Sequence, residues 1–291
     1  MIPPNLTEFL VQLTLRNRNL IAEEDQTRLS QSVFLIAGCG STGGATVEPL
    51  VRAGAVHLLL AEPGVFELNN LNRQRGDLQS LGRNKAECLE EQVRAINPYV
   101  QIEVHRQGIT AENAETLARR ANVIIDAVDV TSMEGLSAKV ALHEAAARAG
   151  CPTISAYDLA YRQHVRIYDY RKNPTPLGGQ AARVRASKNP MEALALLVPV
   201  RAIPVDMVAE VERLLESPGA SISQLGCTAD LFGAIAVPLV IELLAGRRVK
   251  SSFNLDLKDA ILPWSRRLGR SCARLQGLIR AWRRMRKGTP P

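Results

Sequence analysis

Residues 32–62, SVFLIAGCGSTGGATVEPLVRAGAVHLLLAE, decide the fold. Residues 32–37 form an unbroken apolar run, the pattern of a strand covered on both faces. Gly38-Cys39-Gly40-Ser41-Thr42-Gly43 follows and matches GxGxxG. In that spacing Gly38 permits a tight turn, Gly40 lets a phosphate approach the backbone, and Gly43 lets a helix pack closely on the strand. A helix through 45–53 would point its N-terminal amides at the phosphate. Gly38, Gly40, Ser41 and Gly43 are therefore candidate nucleotide-binding residues. A second strand over 56–61 ends at Glu62, 24 residues after Gly38, where a carboxylate should meet ribose hydroxyls. Strand, glycine turn, helix, strand and acid in this order predict a mononucleotide or dinucleotide pocket.

The rest of the chain continues the alternation. The pattern predicts a helix over 84–96 stopped at Asn97-Pro98, a strand over 100–105, a helix over 111–121 and a buried strand over 122–127. A helix over 133–149 and strands over 152–156 and 160–169 come next. Residues 170–205, with KNPTP, LGGQ and SKNP, read as a long irregular loop. A helix over 206–217, a glycine- and alanine-rich helix over 225–247 and a strand over 252–257 complete the pattern. Small residues in the 225–247 helix suit close packing, in the core or at a dimer interface. The fold class is α/β: a Rossmann-like, doubly wound, largely parallel sheet with helices on both faces. An N-terminal helical segment (1–31, with Leu6, Phe9, Leu10 and Leu13 at helical spacing) precedes the main domain (32–260). A basic amphipathic tail (261–291) follows it.

Composition narrows the class. Hydrophobic residues make up 46% and aromatic residues 4%, which fits an α/β protein rich in Ala, Leu and Val. No apolar run reaches the roughly 18 residues of a membrane span, so no transmembrane segment is expected. The N-terminus MIPPNLTEFL lacks the basic-then-apolar design of a signal peptide, which makes the cytoplasm the default location. The five cysteines are scattered and form no CxxC pair, so neither a structural zinc site nor a disulfide framework is expected. Buried, reduced thiols are the expectation, including Cys227 at the start of its helix. The formal net charge of +7 comes from one end: residues 264–291 carry nine Lys or Arg and no acid, and the rest of the chain is net −2. The tail places Leu268, Cys272, Leu275, Leu278, Ile279, Trp282 and Met285 on one helical face with arginines on the other. Such a helix can pack on its own domain with its arginines solvated, dock on a partner, lie on an anionic membrane or contact nucleic acid. Packing is preferred and nucleic-acid binding is not favoured.

The glycine turn alone would suit a nicotinamide enzyme. The residues after Glu62, PGVFELNNLNRQRGDLQSLGRNK, point elsewhere. NNLNRQ at 69–74, with Lys85 closing a GRNK 11 residues later, closely resembles the ThiF/MoeB adenylyltransferases, relatives of the ubiquitin-activating enzymes. That family carries D-x-D-x-V-x-x-S-N-L-x-R-Q after its second strand and then G-x-x-K. On this register Glu62 falls on the first aspartate, Gly64 on the second, Asn70 on the asparagine, Arg73-Gln74 on the RQ and Lys85 on the lysine. Joining a carboxylate to the α-phosphate of ATP spreads negative charge over phosphoryl oxygens, and an arginine and a lysine converging there would neutralise it. The resemblance thus implies ATP and Mg²⁺ as cofactors. Glu62 would hold the ribose, the glycine turn, Asn70, Gln74 and Lys85 the nucleotide, and Arg73 the developing charge.

Asp126 and Asp129 end the fourth strand, and Asp126-Ala-Val-Asp129 resembles the family's D-x-x-D-N, with Val130 in place of the asparagine. Asp126 is expected to make structural hydrogen bonds and Asp129 to hold Mg²⁺ with ATP. His164, alone on a strand, reads as a surface histidine. The resemblance also implies a homodimer in which an arginine of the N-terminal segment, Arg16 ahead of Arg18, reaches the partner's ATP. The implied acceptor is a C-terminal carboxylate of a ubiquitin-like or sulfur-carrier protein, or of a short peptide as in microcin-type enzymes. A tRNA-base-activating relative is an alternative compatible with the basic tail. Residues 170–205 take the place of the family's crossover loop, but no cysteine occurs between 152 and 226, so a thioester step at the usual place is not expected. A degenerate relative that binds nucleotide or a partner without chemistry is the other alternative, motivated by Gly64 and Val130. A nicotinamide oxidoreductase is disfavoured by NNLNRQ.

Overall fold

Alternate residues of the first strand sort to opposite sides of the sheet, which explains why it reads as continuously apolar. In the computed structural model, which describes residues 2–216 and 222–287, β1 (Val33–Ala37) buries Phe34 and Ile36 in one hydrophobic layer and Leu35 and Ala37 in the other. Fully burying side chains of this size contributes roughly 1.5–3 kcal/mol each.

The elements ahead of β1 are α1 (Leu6–Leu13) and α2 (Glu23–Gln31). After it come α3 (Ser41–Arg52), β2 (His57–Ala61), α4 (Lys85–Arg94) and β3 (Gln101–His105). Then follow α5 (Ala114–Arg120), β4 (Val123–Asp126), α6 (Met133–Ala149), β5 (Thr153–Leu159) and β6 (Arg162–Tyr168). The C-terminal part holds α7 (Ala181–Arg185), α8 (Pro190–Leu197), α9 (Val208–Glu216), α10 (Gly226–Leu244), β7 (Ser252–Asp256), α11 (Leu257–Ile261) and α12 (Trp264–Lys287). The seven strands form one sheet in the order β3-β2-β1-β4-β5-β6-β7. The first five in that order run parallel, and β6 and β7 add antiparallel. The order reverses between β1 and β4, and the crevice at such a reversal is where open α/β sheets bind ligands.

Layers of α3, α4 and α10 cover one face, and α5, α6, α7 and α8 cover the other. Gly233 lies so close to α3 that a Cβ there would meet the Ala45 carbonyl oxygen at 2.3 Å, the close packing expected of the small-residue helix. Against the expectation that no run reaches spanning length, α10 is long and apolar enough for a membrane span by length and composition. It packs as a core helix, with Phe232, Ala236 and Val240 fully buried.

Other expectations need correction. Residues 170–205 are not a long irregular loop: a turn at Pro176–Gly179, then α7 and α8, pack them against the core. His164 is not on the surface. It is 3% exposed and its Nδ1 bonds Asn254 Oδ1 at 2.8 Å, because β7 covers the edge that β6 would otherwise present. Cys39, Cys88 and Cys151 are buried as expected, but Cys227 and Cys272 are exposed. The tail helix also packs the other way round. Arg270 pairs with Asp206 (2.7 Å) and Arg274 bonds the carbonyls of Ile203 and Val200, while Leu268, Leu275 and Ile279 are exposed. The side chains of Leu278, Trp282 and Met285, and residue 217 of the helix expected over 206–217, lie outside the described residues.

Candidate active site

Three loops leave the C-terminal ends of β1, β2 and β4 and meet around one cavity of about 1280 Å³. Gly38, Gly40, Ser41, Glu62, Asn70, Arg73, Gln74, Lys85 and Asp129 all line it. Gly43 stands behind the turn, and Arg16 is exposed and outside the lining of its own chain's cavity.

The glycines differ in what they are for. Gly38 has φ +90° and a Cβ there would sit 2.3 Å from the Ala127 carbonyl oxygen, while one on Gly43 would strike the Gly38 carbonyl oxygen at 1.9 Å. The protein itself forbids side chains at both positions. A Cβ on Gly40 would meet nothing closer than the Gln74 side chain at 3.6 Å. Glycine at Gly40 therefore keeps open a cradle on the cavity floor. Helix α3 starts there with no side-chain cap, so its first amides point into that cradle. Gln74 Oε1, beside Gly40, is buried and unpartnered among the described residues.

Glu62 accounts for the departure at Gly64. Its Oε2 accepts the Cys39 amide of the glycine turn at 2.6 Å and its Oε1 accepts the Gly64 amide at 2.7 Å. A Cβ on Gly64 would lie 2.8 Å from that Oε1 and 3.4 Å from Lys85 Nζ. The longer glutamate curls into the space where a side chain at 64 would begin, so Glu62 and Gly64 are a matched pair. The same loop seats Lys85: Asn84 caps α4 and donates to the Glu62 carbonyl at 2.8 Å, and the Lys85 amide bonds the Gly64 carbonyl at 3.1 Å.

Asn70 organises the next turn, accepting the Glu67 amide at 3.2 Å and donating to Asn69 Oδ1 at 2.6 Å. Arg73 then projects with only neutral partners: Gln224 Oε1 (2.7 Å), the Asn69 carbonyl (3.0 Å) and Asn72 Oδ1 (2.9 Å). Among the described residues neither Arg73 nor Lys85 has a carboxylate within ion-pair distance. Burial lowers the Arg73 pKa from its ordinary value, and the more distant Asp158 offsets this in part. A cation desolvated without an adjacent anion gains from a ligand that supplies one.

Asp126 behaves as expected of a structural group. It is buried, pairs with Lys139 Nζ, and its Oδ2 bonds His143 Nε2 (2.8 Å) and Ser155 Oγ (2.5 Å). Burial pushes its carboxyl up, yet Lys139 and His143 outweigh this and hold it below its ordinary value. His143 Nδ1 meets the Tyr170 hydroxyl at 2.6 Å, and that hydroxyl accepts the Leu177 amide at 3.1 Å. Tyr170 thus donates to Nδ1, leaving the proton on Nε2 to face Asp126. Burial lowers the His143 pKa, in keeping with a neutral ring. Asp129, three residues on, is exposed at the cavity. Its Oδ1 accepts from the Thr131 amide (2.9 Å) and hydroxyl (2.7 Å). Among the described residues no three His, Cys, Asp or Glu side chains gather as a metal site. One carboxylate at the rim fits a magnesium ion held mainly by phosphate oxygens.

Sequence reasoning missed Asp158. It is the penultimate residue of β5, lines the cavity and accepts from the hydroxyls of Ser41 (2.9 Å) and Thr42 (3.4 Å). Gln163 donates to its other oxygen at 2.7 Å once its amide is oriented to satisfy its neighbours. Burial pushes the Asp158 carboxyl up to about 6 against the pull of these donors. The available signal was the length of the fifth strand, read as ending at 156 when it runs to Leu159. Gln224, which fixes Arg73 from 151 residues away, carries no local signal.

Comparison with known proteins gives the chain a family and its fold structural neighbours. A sequence model of the ThiF family matches residues 14–265. The sulfur carrier protein adenylyltransferase of Thermus thermophilus is 26% identical over 80% of this chain and 81% of its own length. The adenylyltransferase and sulfurtransferase MOCS3 of Sus scrofa is 28% identical over 60% of this chain. That alignment spans only 38% of the pig protein, so the chain covers well under half of such relatives. Among solved structures, Escherichia coli tRNA N6-threonylcarbamoyladenosine dehydratase with AMP superposes at TM-score 0.59 and 18% identity, covering 84% of this chain and 98% of that one. Escherichia coli MccB with ATP superposes at TM-score 0.57 and 14% identity, covering 80% and 62%. At these identities the structural likeness speaks for the fold.

Proposed function

Because the chain belongs to the ThiF family, we propose that it is an ATP-dependent adenylyltransferase that activates a carboxylate as an acyl adenylate. The observation that carries this reading is the pair Arg73 and Lys85, cations without a carboxylate partner among the described residues, converging on a glycine cradle at a helix N-terminus. The proposed acceptor is the C-terminal carboxylate of a sulfur-carrier protein or a peptide. A relative named as a sulfur carrier protein adenylyltransferase supports it, as do solved relatives holding ATP and MccA.

In the proposed reaction a carboxylate oxygen attacks the α-phosphorus, the bond to the bridging oxygen breaks, and pyrophosphate leaves. No proton need move, so positioning and charge neutralisation carry the catalysis. Arg73, fixed by Gln224, neutralises charge growing on the α-phosphoryl oxygens, and Lys85 acts as a point charge along the phosphates. The first amides of α3 and the Gln74 side chain complete the cradle. Glu62 ties the ribose subsite to the glycine turn, since its carboxylate already holds the Cys39 amide. Magnesium, held by Asp129, would add positive charge at the phosphates. Arg16, outside its own cavity, is proposed to reach that of a second copy in a homodimer. The proposed chemistry ends at the adenylate, as no cysteine lines the cavity among the described residues.

ATP–pyrophosphate exchange with candidate carboxylate donors tests this reading, with Arg73→Ala and Lys85→Ala as controls. The expected result is donor-dependent exchange that each substitution reduces by about 10²–10³-fold. ATP binding without exchange for any donor would point instead to a nucleotide-binding relative without chemistry.

A further inference from the structure

The cavity is larger than a nucleotide needs and its walls are of two kinds. At about 1280 Å³ it exceeds the ~300–1,000 Å³ of ordinary ligand pockets. The polar residues assigned above occupy the ends of β2, β1 and β4. Ribose at Glu62 and phosphates at Gly40 place the base toward Gln107 and Ile109, beyond β3, which also line the cavity. The opposite direction, past β4 and β5, leads to a different lining: Leu194, Val198, Ile203, Met207, Val211 and Leu214. Phosphate and ribose gain nothing from such a wall.

This annex is held in shape. Arg274 of α12 bonds the carbonyls of Ile203 and Val200, and Asp206 is gripped by Lys258 (2.7 Å) and Arg270 (2.7 Å). The basic tail thus braces the segment that carries the apolar wall. Continuity with the phosphate cradle says what enters: the group whose carboxylate must reach the α-phosphorus.

Resting on the adenylation reading, we infer that the annex receives the terminal side chain of the acceptor, so the substrate is a peptide or protein ending in a bulky apolar residue. Such a residue loses water against the annex, whereas a terminal glycine leaves it unfilled.

The test uses synthetic hexapeptides identical except for a final Leu, Phe, Ala, Gly or Lys, with the full chain. Exchange gives KM, and calorimetry with a non-hydrolysable ATP analogue gives Kd for each peptide. Leu and Phe should bind about tenfold or more tightly than Gly, by the usual gain for apolar groups of that size. Ala195→Phe adds bulk at an exposed cavity-lining position and should raise the Leu-peptide KM about tenfold, with the Kd for the ATP analogue reporting an intact fold. Arg274→Gln, which loosens the wall, should act in the same direction. Equal or tighter binding of the Gly or Lys peptide would overturn the inference and leave adenylation standing. Preferential binding of Leu and Phe without exchange would support the annex and overturn the adenylation reading.

Discussion

Two sets of ionisable groups near the C-terminal edge of the sheet are treated in opposite ways. Asp126, Lys139 and His143 are buried, paired with one another and closed off by Ser155 and Tyr170. Among the described residues Arg73 and Lys85 face the cavity without a carboxylate partner, although Asp158 and Glu62 lie nearby and spend their oxygens on amides and hydroxyls. A fold that wanted these cations for stability would have paired them. The first set is a structural joint between β4, α6 and β5. The second is held ready for an anion that the chain does not supply.

Substitutions can break that contrast, starting where the effect should be greatest. Lys139→Met leaves Asp126 charged and buried with neutral donors in place of its cation: the His143 ring, the Ser155 hydroxyl and the Val128 amide. Urea unfolding should show a loss of about 3–5 kcal/mol, with whatever activity remains still ATP-dependent. Arg73→Ala should do the reverse, reducing pyrophosphate exchange by about 10²–10³-fold while changing folding stability by less than about 1 kcal/mol.

Asp158 sharpens the comparison through pH. Its folded-state pKa is raised to about 6 from 3.8, so the folded state binds the proton more tightly than the unfolded chain. The contribution is therefore present at low pH and is lost as pH rises from about 4 through about 6. Asp158→Asn should raise stability by roughly 2 kcal/mol at pH 7.5 and leave it little changed at pH 4, as followed by thermal unfolding. ATP affinity should weaken in the wild type as pH rises through about 6, when a negative charge appears beside Ser41, and the variant should flatten that slope.

The smallest effect belongs to the matched pair. Gly64→Asp alone forces a Cβ against Glu62 and should weaken ATP binding several-fold. Adding Glu62→Asp should recover most of it, a coupling of about 1 kcal/mol in a double-mutant cycle.

Much of this is legible in the sequence. Phe34 to Ala37, the glycine turn and Glu62 announce themselves because a doubly covered strand and a phosphate turn leave strong local patterns. Asn70, Arg73, Gln74 and Lys85 were found by motif, and each lines the cavity. What escaped depends on contacts distant in sequence. Cover by β7 buries His164, and residues folded against α6 make helices of a stretch rich in Pro and Gly. Arg270 and Arg274 pack α12 through its charged side, because acceptors on the 200–206 segment outweigh its apolar residues. Gly64 looked like a lost carboxylate only because the reach of Glu62 cannot be read from its neighbours.

On this reading Arg73 and Lys85 are kept clear of carboxylates, among the described residues, for a triphosphate. Titrating ATP into the wild type and into Lys85→Met, with thermal unfolding of each in parallel, tests it most directly. The variant without nucleotide should unfold at or slightly above the wild-type temperature, and stabilisation by ATP should fall at least tenfold in the affinity it reports. An unliganded variant that is strongly destabilised, or one that ATP still stabilises as well as the wild type, would contradict it.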